Sequence, residues 1–226
     1  MDKHLEQTLQ TTLSTYHAWE EQLGDRAQLL EEALGIFGSE ASFMEKVALL
    51  DDWVDEHPRL EELREILFDL LLMNFLAADV QRLEEDYLES AEWEEIEDQT
   101  IDRGTELLNL LLYLRECMDE EIEATLEDFL KEFLLVDEDE FQDEYHIYEP
   151  IIANQMLLES SYGEIAKVGK KLDEDQDLAA IFYPVMSFFF EQKPNDKQVA
   201  EFVDQSANKA FDAAVYQLIV SYYHQK

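Results

Sequence analysis

Cysteine, glycine, proline and basic residues are all scarce in this chain, and each shortage excludes a class of protein. One cysteine, Cys117, in 226 residues leaves no intrachain disulfide, which fits a reducing compartment. Six glycines and four prolines are too few to punctuate a succession of tight hairpins, so long helices are expected. Sixteen Lys and Arg stand against 55 Asp and Glu, a net charge of −39. Such a chain repels bare nucleic acid, because binding it requires neutralising phosphates. Glycine-rich phosphate loops, zinc spacings and nucleophile elbows are missing too. No apolar run reaches the ~18 residues of a membrane span. The most apolar run, LAAIFYPVMSFFF at 178–190, is short and interrupted by Pro184, and is expected to be a kinked, buried helix.

What is present is apolar content at helical spacing. At 46% hydrophobic and 12% aromatic residues the chain can bury a core despite its charge. Residues 59–88, following Pro58, read as the central helix. Leu60, Leu63, Leu67 and Leu70 share one face, and from Leu70 to Leu76 apolar residues cover most of the circumference, so other helices should surround this turn. Before it, helices are expected over 4–23, ending at Gly24, then over 25–36, and from Ser42, where Ser42-x-x-Glu45 has the spacing of a capping box. After it, Ser90 is a candidate cap. Residues 101–136 read as helix with a bend near Met118 and Asp119, Ser161-x-x-Glu164 repeats the capping-box spacing, and 196–222 reads as a last helix. The expected fold is all-α: a multi-helix array or irregular bundle of about eight to ten helices, with stacked helical hairpins as one arrangement. A single domain over 1–226 with a hinge near 137–146 is expected. The polar first ten residues, MDKHLEQTLQ, lack the apolar core of a secretory signal, so the expected compartment is the cytoplasm.

The charge is unevenly spread. Residues 1–83 carry 18 acids and 6 bases, 84–149 carry 26 and 3, and 150–226 carry 11 and 7. More than half of the net charge therefore lies in less than a third of the chain. A field of that sign speeds encounter with a Lys- and Arg-rich surface. The expected function is a non-enzymatic interaction module engaging a basic partner protein, as an inhibitor or in a chaperone-like role. Its binding residues are expected among the acids of 84–149, above all Asp137, Glu138, Asp139, Glu140, Asp143 and Glu144. Neither nucleic acid nor membrane is expected as a partner. The two aromatic-rich C-terminal helices are a candidate homodimer interface.

Two acidic motifs point to different chemistry. Asp51-Asp52-Trp-Val-Asp55 resembles the DDxxD pattern with which helical prenyl-diphosphate enzymes hold magnesium, and helical spacing puts Asp51 and Asp55 on a shared face. Glu120-x-x-Glu123 followed by Glu140-x-x-Asp143 resembles the paired acidic motifs of all-helical nucleoside-triphosphate pyrophosphatases of the MazG and dimeric dUTPase type. That resemblance implies four carboxylates binding Mg²⁺ and a metal-activated water attacking a phosphate anhydride, the alternative to the binding function. Cys117 lies within a Leu-rich helix and is expected in the core.

Overall fold

The computed structural model describes residues 1–20, 22–78, 87, 89–134, 147–173, 176 and 178–224, without the side chains of 132–134. Among them are twelve α-helices and two 3-10 helices, with no strand, which is the expected all-α class. None of the described helices is long and apolar enough to cross a membrane. The chain divides into two compact units, Met1–Leu108 and Asn109–Lys226. The expected hinge at 137–146 lies outside the described residues.

Unit 1 holds α1 (Lys3–Trp19), α2 (Arg26–Gly38), α3 (Phe43–Glu56), a 3-10 helix (Pro58–Leu63), α4 (Arg64–Ala77) and α5 (Ala91–Thr100). Leu5, Leu9, Leu13 and Tyr16 form the buried stripe of α1, but Trp19, read from the sequence as its continuation, is 47% exposed. Thr8 and Thr12 are buried on the same face. Their hydroxyls donate to the carbonyls of His4 and Thr8, so burial leaves neither hydroxyl unsatisfied. The helix ends at Trp19, short of the expected 23, with the Glu20 N–H on the Tyr16 carbonyl, and Gly24 lies beyond it with a φ of +83°, a conformation that favours glycine. Ser42 and Glu45 form the full capping box. Trp53 of α3 is buried, its indole donating to Glu32 at 2.9 Å.

The central helix starts later than its sequence suggests. Pro58–Leu63 is 3-10 and the α-helical ladder begins at Arg64. From Ile66 to Asn74 every side chain of α4 is buried, as the all-round apolar pattern requires. Helices α1 and α3 pack against it. Two of those buried residues are polar, Asp69 and Asn74.

Unit 2 holds most of α6 (Leu107–Asp119), then α7 (Leu126–Leu134), α8 (Glu149–Ile152), a 3-10 helix (Gln155–Glu159), α9 (Tyr162–Gly169), α10 (Phe182–Phe190), α11 (Asp196–Gln205) and α12 (Lys209–Tyr223). Here α10 takes the central place, with Phe182 to Phe188 buried and α8, α9 and α12 packed around it. The expected kink does not occur within it: Pro184 is its third residue, where a backbone N–H has no intrahelical acceptor to lose. The expected single last helix is two. Asn208 accepts from the Phe211 N–H and caps α12, and the Ser206 hydroxyl bonds to Asp212 across the break. Around α10 the ring of Phe202 stacks between Tyr183 and Tyr216, with centroids 4.4 and 4.3 Å away. Tyr183 donates to the Phe202 carbonyl and Tyr216 to the Glu191 carbonyl, both at 2.8 Å, while the Tyr162 hydroxyl lies 3.0 Å from that of Tyr216. The aromatic residues expected as a candidate dimer face are thus largely spent inside this unit. Ser161 caps α9 through the Glu164 N–H, which is half of the capping box its spacing suggests.

Candidate functional site

The acids of the DDxxD motif come first in the chain, and the structure ties two of the three to arginine. Asp51 Oδ1 lies 3.0 Å from Arg64 Nη1, and both Asp51 oxygens lie 3.0 Å from the Arg103 guanidinium, a two-point pairing. Arg64 also pairs with Asp55 and, at 2.7 Å, with Glu61. Its hydrogen bond to Glu61 and then those to Asp55 and Asp51 hold the guanidinium well above its usual pKa, against the effect of burial. Arg103 Nε reaches both Glu65 oxygens at 3.1 Å, and its guanidinium lies 4.7 Å over the Phe68 ring. Asp52 is exposed. A divalent ion at Asp51 and Asp55 would have to displace both guanidinium groups. Among the described residues no group of three or more His, Cys, Asp and Glu is placed to hold a metal ion.

Arg103 belongs to a segment expected to be helical and found to be a loop, 101–106. The competing partners are carboxylates of α4. Glu65 accepts from the Gly104 N–H at 2.6 Å. Asp69, with no exposed surface, accepts from the Thr105 N–H at 3.0 Å and from the Thr105 hydroxyl at 2.6 Å. The Thr105 hydroxyl in turn accepts from the Leu107 N–H at the start of α6. Gly104 has a φ of +85°, and a Cβ there would lie 2.6 Å from Asp69 Oδ1. Burial pushes the Asp69 carboxyl up to a pKa of about 8, although the bonds from Thr105 favour its charged form.

Between the described end of α4 and this loop lies α5, AEWEEIEDQT. Ser90 caps it through the Trp93 N–H at 3.2 Å, as its sequence suggests. Acidic residues at the start of a helix complement the backbone dipole, which helps a segment so charged to be helical. Ile96 is its one buried residue, and Glu92, Glu94, Glu95, Glu97 and Asp98 are all exposed. Among the described residues none of these five carboxylates is in an ion pair. The three bases of 84–149 are occupied elsewhere: Arg103 with Asp51 and Glu65, Arg115 with Asp119, and Lys131 with Glu127 and Asp128. The sequence signal for this surface is a gap, since no Lys or Arg occurs between Arg82 and Arg103.

Asp137, Glu138, Asp139, Glu140, Asp143 and Glu144, the acids named from the sequence, lie outside the described residues. Glu120 and Glu123 are exposed in the turn between α6 and α7. That turn is pinned by the Tyr113 hydroxyl, which donates to the Thr125 carbonyl and accepts from its N–H, and by Tyr223, which accepts from the Ala124 N–H. Glu121 between them has a φ of +56°. Cys117 is buried, as expected. Comparison with known proteins finds no match, whether among family models, curated proteins or solved structures.

Proposed function

We propose that this protein is a non-enzymatic, cytoplasmic interaction module that engages a basic partner protein through the acids of its middle third, α5 foremost. The observation that supports this is the set of five exposed α5 carboxylates with no cation against them among the described residues. Carboxylates left unpaired on a well-capped helix make the local potential more negative, speed encounter with a cationic surface and repel polyanions. A buried lone cysteine suits a reducing compartment. The action on the partner is inhibitory or chaperone-like: covering a basic surface masks it from nucleic acid in either case. The hydrolase reading rests on Glu120 and Glu123 alone among the described residues.

The test is fluorescence anisotropy with a labelled Lys- and Arg-rich peptide at about 8 Å Debye length, near physiological salt. Replacing Glu92, Glu94, Glu95 and Glu97 by Gln and Asp98 by Asn is expected to weaken binding at least about tenfold, while the same number of substitutions among acids of 1–56 is not. Equal losses in both variants would reduce the acidic helix to a solubility feature.

A further inference from the structure

Helices α3, α4 and α5 enclose a cleft of about 530 Å³ within unit 1. Its apolar lining comes from Phe43, Leu71, Phe75 and Ile96, with the Phe43 and Phe75 rings in contact at 4.9 Å. On the α5 side Glu92, Glu95 and Gln99 line it, spaced three and four residues apart, so one face of the acidic helix looks into the cleft. Glu94, Glu97 and Asp98 are not part of that lining. Asn74 of α4 lines the cleft although it is only 5% exposed. Its Oδ1 accepts from the Asp2 N–H at 3.2 Å, and its Nδ2 meets no acceptor among the described residues. Lys46, the one cation of the lining, donates to the Phe37 carbonyl at 3.1 Å. The cleft therefore combines an aromatic floor, two carboxylates one helical turn apart and an amide donor with no acceptor among the described residues.

We propose that this cleft takes an arginine from an extended segment of the basic partner, with the guanidinium at Glu92 and Glu95 and a neighbouring backbone carbonyl on Asn74 Nδ2. The inference rests on the binding function proposed above and names its recognition element. Arginine suits the site better than lysine. Its planar fork spans two carboxylates while its face lies on aromatic rings, whereas an ammonium is a hydrated point charge. The peptide carbonyl supplies the acceptor that a free cation or a polyamine lacks.

The test follows the side-chain amide of Asn74 and the methyls of Ile96 by NMR in the intact protein during titration with octa-arginine, and separately with octa-lysine. Saturable shifts at both residues are expected with octa-arginine. Glu92→Gln with Glu95→Gln should lower its affinity about tenfold. Glu94→Gln with Glu97→Gln, an equal loss of charge facing away from the cleft, should lower it less than about threefold. Equal losses in the two double variants, or octa-lysine binding as tightly as octa-arginine with Asn74 unmoved, would overturn the cleft and leave α5 a diffuse acidic surface, with the binding function standing. No binding of either peptide by the unsubstituted protein would overturn both.

Discussion

Two acidic stretches of unit 1, DDWVDE in α3 and EWEEIED in α5, look alike as strings and differ in what faces them. Two of the α3 acids, Asp51 and Asp55, meet Arg64 and Arg103, and with Glu61 and Glu65 they form a cluster in which each arginine serves at least two carboxylates. The α5 acids meet no cation among the described residues. The difference is made at long range, since Arg103 lies 52 residues from Asp51 in the chain. It shows that acid density does not mark a surface as available, whereas the destination of the few arginines does. In a protein with 16 bases to 55 acids, pairing is a scarce resource, and the fold concentrates it where the 101–106 loop is fastened to α4. That fastening in turn sets the C-terminal end of α5.

The comparison breaks most sharply at Asp69, the fully buried acid among the fastened group. Its folded pKa of about 8 lies above the unfolded value of ~3.9, so the fold prefers the neutral carboxyl. Its contribution is complete below about pH 4 and is lost as pH rises through about 8. Asp69→Asn keeps an acceptor for the Thr105 N–H and removes the titration. In urea unfolding at about pH 5 and about pH 9, the difference between Asp69→Asn and the unsubstituted protein should move by several kcal/mol in favour of Asn at the higher pH. A pH-independent difference would mean that the carboxyl does not titrate in that window. Gly104→Ala should follow, with a loss of about 3 kcal/mol from a left-handed backbone and a Cβ driven onto Asp69. A loss below about 1 kcal/mol would show a loop that shifts at little cost. Arg103→Met keeps a stem over Phe68 and frees Asp51 and Glu65 from one partner. With Arg103 only 20% exposed, about 2 kcal/mol should be lost in thermal unfolding, less so at high salt. The α5 variants made for the binding experiment complete the series at its small end, where stability should stay within roughly 0.5 kcal/mol.

Local signals carried most of the fold into view. Caps at Ser42 and Ser90 and the all-round apolar run of α4 are decided by neighbours within a turn or two, and each stands where its sequence suggests, whereas α1 ends at Trp19, short of the expected stop at Gly24. The misreadings share a cause as well. Residues 101–106 hold one apolar residue, Ile101, ahead of the leucine periodicity that begins at Leu107, and Glu65 and Asp69 accept from the N–H groups of Gly104 and Thr105 from more than 35 residues away. The C-terminal helix divides at Ser206–Asn208 because the Asn208 cap on the Phe211 N–H competes with continued ladder there. Pro184 suggests a kink in the apolar run, but helix α10 starts two residues before it. For the site, the middle third was legible as acidic from counts alone. Which of its acids face solvent without a counter-charge depends on where Arg103, Arg115 and Lys131 point, and that is a tertiary fact.

All three tryptophans, the exposed Trp19, the buried Trp53 and the half-buried Trp93, belong to Met1–Leu108, so the indole emission of this protein is an optical label on one unit only. Its intensity and colour follow the melting of the α3 and α5 surroundings and are silent on Asn109–Lys226, where tyrosine and phenylalanine make up the aromatic core. A chromophore pair of helicity and indole light therefore resolves whether the two halves unfold together without any added dye: superimposable curves mean one cooperative block, and a helical loss that leaves the emission unchanged belongs to the second half.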